Sequence, residues 1–145
     1  MEKWKLYAYA SAVFAGFTAI VAKAGLKTMS ADLGLAVRSV FVSVFVLLNL
    51  LFWGNVNTVW TELKNSNGRT HALLGLSALT TALSWICYYR AIKDGQVSYV
   101  SLVDKGSIII TVVCSVLLLG DPFTWRLAGG TALVLAGLLV LAGGK

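Results

Sequence analysis

The sequence predicts an all-α polytopic membrane protein, a single domain of five transmembrane helices joined by short connectors. Of its 145 residues, 58% are hydrophobic and only 12% are charged, about half the charged share of an ordinary soluble domain. Five stretches of 15 to 23 residues carry no formal charge, and a helix needs about 20 apolar residues to cross a bilayer. Glycine is common, proline occurs once, and Trp and Tyr punctuate the apolar tracts, as expected where lipid is the solvent.

Each uncharged stretch, extended past a charge near its end, gives one span. The spans cover about residues 4–27, 33–53, 72–93, 97–119 and 125–143. Most connectors are so short that neighbouring helices must run antiparallel and pack side by side. The longest connector, about residues 54–71, is rich in Asn and charged residues, and it is interpreted as a solvated turn with Trp60 at the lipid surface. Residues 1–145 therefore form one domain, without room for an extramembrane catalytic domain.

The first span also resembles a secretory signal peptide. Lys3 and Lys5 precede the apolar stretch, and Ala22-Lys23-Ala24 resembles a cleavage site. A lysine inside that site weakens the signal, and four further spans follow. We therefore expect an uncleaved signal anchor, and a mature chain that begins at Gly25 would contradict this expectation.

Lys and Arg are distributed evenly between the two sides of the predicted membrane. The N-terminal side carries Lys3, Lys5, Lys64, Arg69 and Arg126, and the other side carries Lys23, Lys27, Arg90, Lys93 and Lys145. Arg38 and Lys105 lie deeper in the spans, nearer this second side. The positive-inside rule thus gives no orientation. Such a balance suits a chain that inserts both ways round to form an antiparallel pair; a single orientation set by the first helix or by a partner is the alternative. The net charge of +6 comes from helix ends without a basic aromatic cluster, so no nucleic-acid partner is expected.

Charged residues inside the spans are the candidate functional residues. They are Lys23, Arg38, Arg90, Asp104 and Lys105, and the alternating helix directions place all five in the same half of the membrane. A charge at the centre of a spanning helix costs roughly 2.5–3.5 kcal/mol, so such residues usually face a partner or a wet cavity. Lys23 and Arg90 are shallow enough to reach the surface with their long side chains instead.

Asp104 is the only acid within the apolar part of a span. Because adjacent helical residues point about 100° apart, Asp104 and Lys105 are expected to address different helices. The candidate counter-ions of Asp104 are therefore Arg38, Lys23 or the Lys105 of a second copy. Four cations and one anion sum to +3, which predicts a cavity that favours anionic or carboxylate-bearing solutes.

The third span adds an aromatic face. Thr81, Trp85, Tyr88 and Tyr89 share one side of the helix by their spacing, where rings and polar tips would hold an organic solute. Interfacial anchoring is the alternative for one of the two tyrosines.

Small residues in the last span mark a helix-packing face. Gly129, Ala132 and Ala136 follow helical spacing, and Gly137 belongs to a seven-residue repeat of glycines. Such positions let backbones approach closely. The face could pack inside the protomer or against a second protomer.

Cysteine and histidine usage gives no sign of a metal site or cofactor. Cys87 and Cys114 lie inside spans without a CxxC spacing, and His71 has no acid four residues away. A Ser/His/Asp set or a phosphate loop cannot be assembled either, so we expect neither an enzyme nor a cofactor.

Several motifs resemble the EamA domain of the drug/metabolite transporter superfamily, and more narrowly its bacterial and archaeal group with a single five-helix domain. The motifs are the run Leu83 to Lys93, Gly95, Val100 to Lys105, Leu119-Gly120-Asp121, Ala22 to Leu26 and Ala36-Val37-Arg38. Where the family usually has a proline before the acid of the fourth helix, this chain has Leu102, so the resemblance does not imply a kink there. Asp121 stands where the family usually has Glu.

The resemblance implies a secondary transporter in the inner membrane that moves a small organic solute by alternating access. Ten-helix relatives fuse two five-helix halves of opposite orientation, so we expect a dimer, antiparallel if homomeric, or pairing with a homologue. The resemblance places the motif residues of the family at the eight residues Lys23, Arg38, Trp85, Tyr88, Tyr89, Arg90, Asp104 and Lys105. We expect the first four spans to line the cavity and Asp104 to exchange a proton or hold a counter-cation. The alternative is a non-transporting membrane subunit or scaffold whose charges serve helix pairing.

Overall fold

A computed structural model of the chain describes residues 2–143, without the side chains of residues 56 and 57. Within that range it contains helices and no strand. The α-helices are α1 (Lys3–Gly25), α2 (Ala31–Trp53), α3 (Val56–Asn65), α4 (Gly68–Asp94), α5 (Val97–Asp104), α6 (Ser107–Cys114) and α7 (Trp125–Gly143). Lys145, which entered the charge count, lies outside the described residues.

Five helical segments are long and apolar enough to cross a membrane, which confirms the predicted fold class. They are Lys3–Gly25, Ala31–Trp53, Gly68–Asp94, Val97–Leu119 and Trp125–Gly143. The last span coincides with its predicted bounds, whereas the third begins four residues earlier than predicted because the helix continues into the polar residues before Ala72. At most 6% of the residues in the apolar window of each span are buried within the chain, as expected for helices that face lipid or a partner.

The longest connector was wrongly interpreted as a solvated turn throughout, because ten of its residues form the helix α3. Val59, Trp60 and Leu63 fall on one side of this helix, and Thr58 and Thr61 fall on the other. Composition alone concealed the helix, since its polar residues outnumber its apolar ones. The spacing of its apolar residues is the signal that reveals it.

The fourth span is interrupted at its charged residues. α5 ends at Asp104 and α6 begins at Ser107. Between them the amide of Gly106 donates to the carbonyl of Val103 at 2.9 Å, a three-residue spacing that tightens the chain locally. The break therefore forms although Leu102 replaces proline. A Cβ on Gly106 would lie 3.0 Å from Cδ1 of Leu138 in α7, so glycine allows this close approach.

The span ends in a π-helical turn, Ser115–Leu119. Gly120 follows it with φ of +73°, a left-handed conformation that glycine adopts without steric cost. The amide of Asp121 then donates to the carbonyl of Ser115 at 3.2 Å, which closes the helix end.

The described chain forms two compact units. The 21–93 unit consists of Val21–Lys93, and the terminal unit combines the residues up to Ile20 with those from Asp94 onward. Within the 21–93 unit the buried side chains are those of Leu26, Leu35, Tyr89 and Ile92. Within the terminal unit, α5 and α6 both contact α7.

Candidate functional site

A groove runs between α2 and α4 inside the 21–93 unit and encloses about 800 Å³. Its walls are mostly small and apolar side chains, with Trp85 among them, and the hydroxyls of Ser39, Ser43 and Thr81 lie between these walls. The lining residues recur at three- and four-residue spacings, which place them on one face of each helix. Small residues on both faces leave the space that larger side chains would fill.

Ser39 and Thr81 in the groove each donate a hydrogen bond to a main-chain carbonyl of their own helix. Ser39 Oγ donates to the carbonyl of Leu35 at 2.9 Å, and Thr81 Oγ1 donates to that of Ser77 at 2.8 Å. A hydroxyl that donates one hydrogen bond can still accept another. The middle of the groove therefore offers acceptors to an N–H or O–H of a solute.

Asp32 and Arg90 form an ion pair at one end of the groove. Arg90 Nε donates to Oδ1 of Asp32 at 2.9 Å, and its Nη2 donates to Oδ2 at 3.2 Å. Both side chains are nearly two-thirds exposed. This is the two-point geometry that an arginine offers to any carboxylate. Ser30 holds the first turn of α2, which carries Asp32, because its hydroxyl accepts a hydrogen bond from the amide of Leu33.

The guanidinium of Arg38 lies over the ring of Trp85, 4.5 Å from the ring centroid. It also lies 5.9 Å from the ring centroid of Tyr89, a residue only 4% exposed. Trp85 therefore lines the groove and holds a cation of α2 by a cation–π contact. The ring of Tyr88 lies next to that of Tyr89, with centroids 6.4 Å apart.

Lys23 and Lys93 each cap the main chain near the other. Lys23 Nζ donates to the carbonyls of Ile92 and Lys93 at 2.6 and 2.8 Å. Lys93 Nζ donates in turn to the carbonyls of Leu26 and Met29. Ile92 and Lys93 lie in the last turn of α4, whose carbonyls no helical amide can reach. Leu26 and Met29 lie in the connector between α1 and α2. We call these four hydrogen bonds the lysine clasp.

Asp104 and Lys105 pair with each other inside the terminal unit. Lys105 Nζ lies 3.6 Å from Oδ2 of Asp104. The expectation that these neighbours address different helices is therefore wrong, because the chain tightens at the helix break and long side chains bridge the angle between them. Asp104 is 38% exposed and Lys105 is 65% exposed, so both remain accessible in the single chain.

Comparison with known proteins gives one family. Residues 2–143 match the EamA-like transporter family. This chain belongs to that family. A protein of Sinorhizobium sp described as an uncharacterized transporter in the cobO 3′ region is 33% identical over 141 residues, which are 97% of each chain. No solved structure matches the sequence.

EamA-like membership makes the chain an integral, multi-pass membrane protein and supports membrane transport rather than enzymatic catalysis. Of the residues singled out by sequence, the 21–93 unit of this EamA-like protein brings Arg38 and Trp85 into direct contact. It places Arg90 at the groove and Lys23 at the lysine clasp. Among residues 2–143, no three His, Cys, Asp or Glu side chains converge as metal ligands would.

The small residues of the last span have open space beside them in this EamA-like chain. A Cβ added to Gly129 or Gly137 would meet nothing within 4 Å among the described residues.

Sequence reasoning missed two polar residues of the 21–93 unit. Asp32 was excluded because the predicted second span began at residue 33, which left this acid in a connector. Lys93 was counted only as a charge at the membrane surface. The N-cap Ser30 with Asp32 in the first helical turn is a start signal that would have moved the helix boundary and included the acid.

Proposed function

We propose that this protein moves a small organic solute across the cytoplasmic (inner) membrane by alternating access, and that the solute binds in the groove between α2 and α4. The observation that carries the proposal is the groove itself. Its volume of about 800 Å³ lies in the range of small-molecule sites, which are mostly apolar with a few placed polar groups.

The lining chemistry suits an organic solute with an anionic group. The ring of Trp85 and the aliphatic walls offer apolar contact, and the hydroxyls accept hydrogen bonds. Arg90 at the groove and Arg38 beside the groove residue Trp85 bring two positive charges, whereas Asp32 is the acid among the lining residues. The excess of positive charge favours an anionic or carboxylate-bearing solute.

A second protomer would complete the transport path. Transporters that use alternating access combine two halves about a central site, whereas one chain here supplies five spans. The even distribution of Lys and Arg permits insertion in both orientations. The open glycine face of α7 gives a partner helix room for close contact. We therefore propose an antiparallel homodimer or a pair with a homologue.

Asp104 is the proposed coupling residue. It lies at a helix break inside a span, next to Lys105. Irregular backbone within a membrane is tolerated where it is buried in protein or lines a water-filled cavity. A carboxyl group at this break can take up a proton or hold a cation. When neither is bound, Lys105 supplies the positive charge beside it.

Flux through purified protein in liposomes tests the proposal. Organic acids, amines and neutral metabolites would first be screened for a rise in melting temperature, since a ligand of the folded state stabilises it. Stabilising solutes would then be measured for entry into liposomes. We expect flux without any other protein, and loss of that flux on Trp85→Ala but not on Trp53→Ala, an exposed tryptophan outside the groove. Flux that strictly requires another protein would instead support a membrane subunit or scaffold.

A further inference from the structure

The ion pair of Asp32 and Arg90 has the form of an occupied carboxylate site. Two nitrogens of Arg90 meet the two carboxylate oxygens of Asp32 at 2.9 and 3.2 Å. Both residues line the end of the groove. We propose that Arg90 is the anchor for the carboxylate of the solute, and that Asp32 is a resident competitor that fills this anchor when no solute is bound.

The pair is poised for exchange because it is exposed. The side chains of Arg90 and Asp32 are 64% and 63% exposed, and pairs in that setting contribute little net stability. An incoming carboxylate offers the same two acceptor oxygens in the same plane. It therefore replaces one set of hydrogen bonds with an equivalent set, and Asp32 returns to water at small cost.

The groove beyond the pair selects what accompanies the carboxylate. From Arg90, the wall of α4 continues through Ile86, Trp85 and Ala82, one to two turns back along the helix. A solute anchored at Arg90 would thus lay its apolar body against the ring of Trp85 and the aliphatic walls. The class that fits is a small carboxylate with an apolar or aromatic body. An inorganic anion would gain only the anchor.

Asp32 also keeps Arg90 occupied when the solute has no acid group. A neutral solute cannot displace Asp32 from Arg90, since it offers no charge-assisted acceptor pair. It is left with the apolar walls alone. The resident acid therefore lowers the affinity for carboxylates by competing for Arg90 and leaves the affinity for neutral analogues unchanged, so the preference for carboxylates is largest when Asp32 is removed.

This inference rests on the proposed function, and binding to the purified full chain in detergent tests it apart from transport. The probes are phenylacetate and phenylacetamide, which share their apolar body and differ in charge. Calorimetric titration would give each affinity for the unmodified protein, Asp32→Asn, Arg90→Gln and the double variant. Glu62→Gln is the matched control, since it removes one acid of α3 outside the groove.

We expect the unmodified protein to bind phenylacetate more tightly than phenylacetamide. Asp32→Asn should tighten phenylacetate by about two- to fivefold, the scale of an exposed ion pair, and leave the amide unchanged. Arg90→Gln and the double variant should bind phenylacetate no more tightly than the amide, and retained amide binding shows that these variants are folded. Glu62→Gln should match the unmodified protein.

Three results would overturn the inference: unchanged phenylacetate affinity in Asp32→Asn, retained preference for phenylacetate in Arg90→Gln, or no binding of phenylacetate at all. Flux of solutes in liposomes without any of these carboxylate effects would leave the proposed function standing and remove the inference. If the expected binding pattern is found without flux of any solute, the carboxylate site stands and the proposed transport function is removed.

Discussion

The side chain of Lys23 donates a hydrogen bond to the main-chain carbonyl of Lys93, 2.8 Å away, while the side chain of Lys93 donates to carbonyls near the end of α1. These partly buried contacts belong to the lysine clasp. The ammonium of Lys23 lies against the negative C-terminal end of α4, where a cation is stabilising. The 21–93 unit thus uses two lysines to hold the end of α1 to the end of α4.

Lys23→Met should destabilise the protein because it leaves two carbonyls of the clasp without their charged donor. Hydrogen bonds to charged groups contribute about 1.5–3 kcal/mol each, and partial access to water reduces that figure. We expect the free energy of unfolding, measured by titration with SDS in mixed micelles, to fall by about 1–3 kcal/mol. Lys27→Met is the control, since Lys27 is exposed and its side chain has no partner among residues 2–143. Equal stability of the two variants would contradict the clasp.

Gly34→Val should destabilise the contact between α2 and the segment that precedes it. A Cβ on Gly34 would overlap Cδ2 of Leu26, and Leu26 cannot move aside easily because it is only 2% exposed. Overpacking of this kind costs about 1–3 kcal/mol. Gly75→Val is the control, since a Cβ on Gly75 meets nothing within 4 Å. If the overlap is the cause, Leu26→Ala should recover part of the loss in the double variant, whereas purely additive losses would exclude it.

The fold could be predicted from the sequence because the bilayer imposes a length. The stretch Ala72–Tyr89 carries no charge over 18 residues, and it lies within the spanning helix Gly68–Asp94, as the length of a membrane crossing predicts. The helix α3 and the break after Asp104 could not be predicted in this way. The first is short and polar on average, and the second depends on Gly106 meeting Leu138 of another helix.

For the site, the sequence predicts only which residues share a face of one helix. Helical spacing placed Trp85 and Tyr89 on one face, but the position of Arg38 over Trp85 depends on how α2 rotates against α4. Spacing within one helix carries no information on that rotation. The partners of Lys23 could not be predicted either. They are main-chain carbonyls, and because every residue has one, the sequence does not mark them.

α3 should lie in the plane of the membrane surface with its apolar side in lipid. It connects the second and third spans, and its exposed Trp60 and Leu63 share one face. Amphipathic helices in this position bury their apolar face at the level of the headgroups. Spin labels at position 63 and position 61, in a chain with Cys87→Ser and Cys114→Ser, compare the two faces. We expect oxygen to relax the label at 63 more strongly and a water-soluble nickel chelate to relax the label at 61. Equal accessibility at both positions would place α3 in water.

Asp104→Asn should abolish the dependence of transport on pH or on a cation gradient. The amide keeps the size of the side chain, yet it has no carboxyl proton to exchange and no negative charge to balance Lys105, which lies 3.6 Å from the carboxylate. Exchange of solute across the liposome membrane, measured with equal solute concentrations on both sides, should continue. The proposed groove belongs to other helices, α2 and α4. We expect accumulation of solute against its gradient to fall at least about tenfold, the loss that follows when coupling of about 1.4 kcal/mol disappears.

Asp121→Asn is the matched control for this prediction, because Asp121 lies after the π-helical turn and outside the spanning segments. Its replacement removes one acid from the same unit and should leave the accumulation of solute unchanged. Unchanged pH-dependent accumulation in Asp104→Asn would exclude Asp104 from coupling, and an equal loss in Asp121→Asn would attribute the effect to net charge.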